Sequence, residues 1–253
     1  MSGDSVDAPV RRALDRLSGD RIVSRIWDND PTVWRGASED QSEIVDRLGW
    51  LDAPSEMLDE ADAVAAFADQ VRDDGIRHVV VLGMGGSSLC PEVLRASFGS
   101  APGFPELVVL DSTVPATVER VARAIDPART LFIVSSKSGT TTEPLSFLHY
   151  FHEVVAGTVA ADVGSSFAAI TDPGTPLESL AGEMGFRDVF RAAADVGGRY
   201  SALTHFGIVP AALIGLEIPK LLKRGESMAE ECAPDMAIDD NPGALLGAVL
   251  GGW

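Results

Sequence analysis

The chain has 253 residues, and its 38 Asp and Glu outnumber 20 Lys and Arg, which gives a formal net charge of −18 at pH 7. Hydrophobic residues make up 45% and charged residues 23%, as in folded globular proteins, so disorder of the whole chain is excluded. The acidic balance argues against nucleic-acid binding, because a phosphate backbone needs a basic surface. At first sight it argues against any anionic ligand.

The longest apolar runs, 208–216 and 244–250, are shorter than the roughly 20 residues that cross a bilayer, so we expect no membrane span. The N-terminus has no basic stretch followed by an apolar one, as a secretory signal would have. Two cysteines are too few for a disulfide framework. These features favour a cytoplasmic protein.

The first 58 residues are polar and mixed, with apolar residues at helical spacing in 10–17 and 41–48. We predict a helical extension over residues 1–58 that docks on a larger core through its large aromatic side chains. A loosely attached arm is the alternative. The aromatic residues concerned are Trp27, Trp34 and Trp50.

Residues 59–200 alternate short apolar runs with helical stretches, the pattern of consecutive βαβ units. The runs are mostly rich in β-branched residues, which favours strands buried on both faces of a parallel sheet. We predict an α/β domain over 59–200, with a three-layer αβα architecture and a doubly wound, Rossmann-like parallel sheet. The predicted strands are 78–83, 107–110, 130–135 and 167–171, and the predicted helices are 59–73, 88–98, 115–125, 141–155 and 176–184. Residues 201–253 follow, with a long apolar helix over 201–222, a helix over 226–232 and a last helix starting at 241–242.

A glycine-rich segment, Gly83-Met-Gly-Gly-Ser-Ser-Leu-Cys-Pro91, follows the first predicted strand and opens a helix. Ligands of open parallel sheets bind at the carboxyl ends of the strands. Glycines let backbone N–H groups approach an oxygen-rich ligand, and a helix N-terminus favours negative charge. Ser88 stands where a dinucleotide fingerprint has its third glycine, and a tight turn without a ligand is the alternative.

A hydroxyl-rich segment, Ser135-Ser-Lys-Ser-Gly-Thr-Thr-Thr-Glu143, lies between the third predicted strand and a helix. It carries six hydroxyls and Lys137, one of three lysines in the chain, whereas a helix cap needs a single hydroxyl. The pattern therefore favours a phosphate-binding loop over a simple cap. The Walker pattern is absent, which disfavours a nucleotide triphosphatase.

A third segment, Gly197-Gly-Arg-Tyr-Ser201, leads into the predicted helix 201–222. A guanidinium at a helix start can present a rigid fork of donors to a ligand oxygen. Without further context, pairing of Arg199 with one of the many acidic residues is the better interpretation.

Together, the three segments resemble the phosphoglucose isomerase family, whose sugar-phosphate-binding modules have the SIS fold. They are similar to its Gly-x-Gly-Gly-Ser-x-x-x-Pro, Ser-Lys-x-x-x-Thr-x-Glu and Gly-Gly-Arg-Phe-Ser signatures, with Tyr200 in place of Phe. Order and spacing agree from about residue 20 onward. The hydroxyl-rich segment, Arg25-Ile-Trp27 and Arg47-Leu-Gly-Trp-Leu51 look most like the isomerase part of bacterial transaldolase–isomerase fusions.

The resemblance implies an SIS-type αβα fold and proton transfer between C1 and C2 of a hexose phosphate, with no cofactor and no metal. It implies that the substrate phosphate is held by Ser136, Ser138 and Thr141, and that the sugar is contacted by Gly86 and Ser87. It further implies catalytic roles for Lys137, near the phosphate and the reacting carbons, and for Arg199, which would stabilise an enediolate.

The resemblance also implies residues that this sequence lacks. The family's base Glu, ring-opening His and C-terminal Lys all lie downstream of the third segment. We therefore expect the N-terminal, phosphate-binding half of a glucose-6-phosphate isomerase-like enzyme, inactive alone, with its apolar segments 201–222 and 241–253 partly uncovered. A homodimer or a complementary C-terminal half is the expected protein partner. The alternatives are a non-catalytic sugar-phosphate sensor or interaction module, and a structural remnant.

Overall fold

Five parallel strands form the sheet in the part of the chain that the computed structural model describes, residues 4–34, 41–159 and 162–252. Their order is β2-β1-β3-β4-β5, and each neighbouring pair is parallel. The first four strands match the prediction to within one residue. The fifth was not predicted, because it is four residues long and begins and ends on a charged residue. The strands are β1 (His78–Gly83), β2 (Glu106–Leu110), β3 (Thr130–Ser135), β4 (Phe167–Thr171) and β5 (Asp188–Arg191).

Helices cover both faces of the sheet, as the αβα prediction requires. The helix predicted from residue 59 begins six residues earlier, so the expected domain boundary at 58/59 falls inside it. The other helices of the predicted domain agree with the prediction to within two residues. The helices are α1 (Asp4–Gly19), α2 (Ile22–Trp27), α3 (Gln41–Val45), α4 (Ala53–Asp73), α5 (Gly86–Phe98), α6 (Pro115–Ala124), α7 (Thr142–Ala156), α8 (Pro176–Glu183), α9 (His205–Leu213), α10 (Ile218–Glu231) and α11 (Pro242–Gly252).

The apolar runs of the central strands form two layers because consecutive side chains point to opposite faces of a sheet. Val79 and Val81 face the layer that contains α4, α5, α9 and α10, whereas Val80 and Leu82 face α6, α7 and α8. On the second face the ring of Phe132 lies 4.8 Å from that of Phe151. Burial of each such side chain contributes about 1.5–3 kcal/mol to the free energy of unfolding, so the packed sheet holds the strand ends in fixed positions.

Within the described residues, the N-terminal region contacts the rest of the molecule at three places. α1 packs against α11 through a small apolar cluster that includes Leu14 and Ala248. The indole N–H of Trp27 donates to the carbonyl of Cys232 at 3.0 Å, and the ring of Trp50 stacks on Tyr200. Trp34 is 47% exposed, so two of the three tryptophans dock the N-terminal region on the core as predicted and Trp34 does not. Residues 35–40 of the predicted extension lie outside the described residues.

The prediction of one helix over 201–222 is wrong, because the chain forms a 3-10 helix at Gly198–Leu203 followed by α9 and α10. Thr204 caps α9 with its hydroxyl, which accepts from the N–H of Phe206. α9 ends before Gly215, whose φ of +82° favours glycine. The separate helix predicted over 226–232 is the continuation of α10.

The outer face of α11 carries apolar side chains toward solvent. Leu246 is 59% exposed and Leu250 is 74% exposed. α9, by contrast, is buried at every position, so the expected exposure is found in α11 and not in α9. No helix in the described ranges is long and apolar enough to span a membrane.

We predict that Gly207→Ala destabilises the protein by about 1–3 kcal/mol, because the core must open to admit the methyl group. Gly207 lies in α9, where an added Cβ would overlap the carbonyl oxygen of Ala202 and come within 2.9 Å of the sulfur of Cys90. Chemical denaturation measures the change in the free energy of unfolding. Gly182→Ala in α8 is the control, because nothing lies within 4 Å of its Cβ position. Equal stability of the two variants would contradict the packing described here.

Candidate functional site

The hydroxyl-rich segment forms a tight loop between the end of β3 and the start of α7. The hydroxyl of Ser136 donates to that of Thr141 at 3.0 Å, and the hydroxyls of Ser138 and Thr140 lie 2.9 Å apart. Ser136 is buried, whereas Ser138 and Thr140 are exposed. The predicted phosphate ligands Ser136, Ser138 and Thr141 are therefore gathered in one loop.

The backbone of this loop also presents donors. Gly139 has a φ of +66°, and an added Cβ would lie 2.8 Å from the Cβ of Thr175, so glycine is required here. The N–H groups of Ser138 and Thr141 donate no hydrogen bond within the described part of the chain. Thr141 stands at the N-cap of α7 without a side-chain capping bond, and its hydroxyl, which accepts from Ser136, keeps its own O–H donor for a ligand beside the positive end of the helix dipole. This arrangement suits an anion with several oxygens.

The glycine-rich segment lies beside this loop, because β1 and β3 are neighbours in the sheet. The hydroxyl of Ser135 donates to the carbonyl of Ser87 at 3.0 Å and connects the two segments. Gly86 begins α5, and Gly85 at its N-cap has a φ of +57°. The predicted sugar contacts Gly86 and Ser87 are thus joined directly to the loop after β3.

The third segment meets the glycine-rich segment at a backbone contact. An added Cβ on Gly86 would overlap the carbonyl oxygen of Gly198, so the two glycines touch without side chains between them. The hydroxyl of Ser201 donates to the carbonyl of Gly198 at 2.8 Å and to that of Gly86 at 3.4 Å. The three predicted segments are therefore linked by direct contacts.

Arg199 extends from the 3-10 helix just after this contact, and its side chain is exposed. It forms no ion pair or hydrogen bond with any residue in the described ranges. The N-terminal region supports the turn, since the N–H of Gly49 donates to the backbone carbonyl of Asp195 at 3.1 Å and the rings of Trp50 and Tyr200 stack 5.6 Å apart. The backbone that carries Arg199 is fixed by these contacts, and its guanidinium is available to a ligand.

Lys137 is the one predicted site residue whose side chain is held by an acidic residue. Its ammonium donates to the carboxylate of Asp172 at 2.6 Å and to the carbonyl of Ala194 at 2.8 Å. Burial raises the pKa of Asp172 above its usual value, the charge of Asp195 adds to this, and the bond from Lys137 opposes it. The sequence did not predict this pair, and the role of Lys137 near reacting carbons stays a prediction.

The residues after β4 were missed as part of the site. Thr171 ends β4, and its hydroxyl lies 2.7 Å from that of Thr175 and 3.3 Å from the carbonyl of Lys137. The sequence signal was available, since Thr171-Asp-Pro-Gly-Thr175 is a polar turn directly after a predicted strand. This turn forms the side of the site next to Lys137.

The histidines lie outside these loops. His205 begins α9, is 3% exposed, and has its Nε2 2.9 Å from a carboxylate oxygen of Glu60. Burial and this contact indicate a structural role for His205. Among the described residues no group of three or more His, Cys, Asp or Glu side chains is placed to hold a metal ion.

Comparison with known proteins identifies a family and the part of its members that this chain covers. The family model for phosphoglucose isomerase matches residues 57–253. A glucose-6-phosphate isomerase of Carboxydothermus hydrogenoformans is 32% identical over 212 residues, which cover 80% of this chain and 45% of the relative. One from Thermus thermophilus is 34% identical over 189 residues, covering 74% of this chain and 43% of the relative. The chain thus spans less than half the length of these relatives.

Solved structures agree in fold. A hypothetical protein of Thermus thermophilus superimposes with a TM-score of 0.82 at 26% identity, over 98% of this chain and 56% of that one. A glucose-6-phosphate isomerase of Chlamydia trachomatis gives a TM-score of 0.70 at 23% identity, over 100% of this chain and 50% of that one, which bears on the fold alone. With the family model matching most of its length, the chain belongs to the phosphoglucose isomerase family.

Proposed function

We propose that this chain binds a hexose phosphate as the N-terminal part of an enzyme that interconverts glucose 6-phosphate and fructose 6-phosphate. The observation that supports this most strongly is the convergence of the three segments at the carboxyl ends of β1 and β3. A shared ligand explains why a hydroxyl loop, a glycine turn and an arginine that pairs with none of the described residues lie at one edge of the sheet.

The phosphate group is assigned to the loop of Ser136, Ser138 and Thr141. Hydroxyls and backbone N–H groups donate to phosphate oxygens without adding charge, and the N-terminus of α7 favours the anion. Lys137 belongs to the same loop, and its ammonium, paired with Asp172, is assigned as a further donor to the phosphate. Charge-assisted bonds of this kind are about twice as strong as neutral ones, so few are needed.

The sugar is assigned to the contact between the first and third segments. Gly86 and Ser87 offer backbone to the hydroxyl groups, and Arg199 is the cation assigned to the negative charge of an enediolate. The general base is assigned to none of the described residues. We therefore assign the general base to further protein, with a complementary C-terminal half as the candidate.

We predict that the triple variant Ser136→Ala, Ser138→Ala, Thr141→Ala loses affinity for glucose 6-phosphate by at least about 100-fold. Each hydrogen bond to a charged group contributes about 1.5–3 kcal/mol, and the triple variant removes three candidate donors. Isothermal titration calorimetry measures the affinity. The control is Thr158→Ala, which removes a hydroxyl that bonds to the carbonyl of Val154 near the C-terminal end of α7, away from the loop. Equal affinity in the triple variant and the wild type would sink the assignment of the phosphate site.

Gly86→Ala is expected to separate the first and third segments, because its methyl group would overlap the carbonyl of Gly198. We expect affinity for glucose 6-phosphate to fall by about tenfold or more, as an interface displaced by a methyl group costs about 1–3 kcal/mol. Inorganic phosphate, which needs only the loop after β3, is expected to bind with little change. Calorimetry with both ligands makes the comparison, and an equal loss for both would contradict the division of the site.

The chain alone is expected to bind glucose 6-phosphate without converting it, because it offers no assigned base. A coupled assay for fructose 6-phosphate formation, run beside the calorimetry, separates binding from turnover. Robust turnover by the 253 residues would contradict this division of the chemistry. Binding without turnover, together with a stable partner that restores no turnover, would favour a sugar-phosphate sensor instead.

A further inference from the structure

We propose that Asp172 is a positioning residue that, together with the carbonyl of Ala194, holds the ammonium of Lys137 beside the phosphate loop. The geometry of this clamp is independent of any ligand. Its effect on ligand affinity rests on the function proposed above, and the experiments below separate the two.

The ammonium of Lys137 is fixed by two short bonds. Nζ lies 2.6 Å from Oδ2 of Asp172 and 2.8 Å from the carbonyl oxygen of Ala194. An ammonium group has three N–H donors, so two are used and one is left for a ligand oxygen. A free lysine side chain loses about 2 kcal/mol of rotamer entropy when it is ordered, and the clamp removes much of this cost before the ligand arrives.

The backbone of Lys137 is held by the same turn. The N–H of Asp172 donates to the carbonyl of Lys137 at 3.1 Å, and the hydroxyl of Thr171 donates to the same oxygen at 3.3 Å. Asp172 therefore holds both ends of the lysine. The whole side chain is constrained relative to β4, which neighbours β3 in the sheet.

The charges in this corner of the site explain why the pair forms. The side chain of Asp172 is 16% exposed and that of Lys137 is 26% exposed. Oδ1 of Asp172 is buried without a hydrogen-bond partner in the described residues, and the charge of Asp195 acts on the same carboxyl. A carboxylate so placed needs a cation beside it, because an unpaired buried charge is strongly unfavourable. The partner that meets this need is Lys137.

The first test measures the reactivity of Lys137 without any ligand. Limited acetylation followed by peptide mass spectrometry resolves each lysine, since the chain has only Lys137, Lys220 and Lys223. Lys220 is 61% exposed, and its ammonium lies 3.2 Å from a carboxylate oxygen of Glu217, so it serves in the same molecule as an internal control for an ion pair at the surface. We expect Lys137 to react about tenfold more slowly than Lys220 in the wild type, and Asp172→Ala to remove most of that difference, as loss of a charged hydrogen bond predicts. Equal rates in the wild type, or no change in the variant, would overturn the proposal.

The second test is a double-mutant cycle on glucose 6-phosphate affinity with Asp172→Ala and Lys137→Met. If Asp172 acts through Lys137, Asp172→Ala weakens binding by about tenfold alone and has little further effect when Lys137 is already Met. Asp172→Asn, which keeps an acceptor of the same shape, is expected to recover part of the loss. A merely structural role of Asp172 would instead give losses that multiply in the double variant, and that result would overturn the effect on binding.

The two proposals fail in different ways. Slow acetylation that depends on Asp172, in a wild-type chain that binds neither phosphate nor glucose 6-phosphate, would refute the proposed function and support the clamp. Ligand binding that depends on the loop hydroxyls, with acetylation insensitive to Asp172, would refute the clamp alone. Unfolding curves of Asp172→Asn, which preserves the shape of the side chain, identify any loss that comes from misfolding.

Discussion

The close approach of Gly86 and Gly198 is the constraint on which the arrangement of the site depends. The first residue of α5 lies directly against the carbonyl of Gly198, and no side chain fits between the two. Since α5 is fixed to the sheet through β1, the contact fixes the turn that carries Arg199 as well. The bond from Ser135 to Ser87 then ties the loop after β3 to the same point. Three segments far apart in sequence thereby become one surface.

Because the strands are parallel, their carboxyl ends lie at one edge of the sheet, and the loops that follow them lie together there. The donors suited to an anion lie on loops after β1, β3 and β5, and the sheet that carries these loops is held between two buried layers of side chains. Precise positions are maintained because these layers are closely packed. This chain, which spans less than half of the matched relatives, therefore carries a set of hydrogen-bond donors whose positions are fixed by the sheet.

Much of this arrangement could be predicted from the sequence, because it follows from local patterns. Buried β-branched runs predicted β1 and β3, and the polar segments directly after them predicted the edge of the sheet at which the candidate site lies. The pairing of Lys137 with Asp172 could not be predicted in this way, since the two residues are 35 positions apart. The sequence also did not predict that α9 ends before Gly215, for a related reason. The apolar pattern continues beyond that position, and the backbone bends where Phe104, from a distant loop, packs against it.

The net charge of −18 gains a different meaning from these details. Because the chain has so many carboxylates, a Lys or Arg side chain near the site could form an ion pair with a surface acid instead of binding a ligand. Lys137 is instead paired with Asp172, a partly buried acid whose position is set by β4, and Arg199 forms no ion pair with an acid in the described ranges. The remaining donors are hydroxyls and backbone N–H groups, which bulk charge cannot neutralise. An acidic protein can therefore hold an anion, provided that its few cations are fixed in place by the fold.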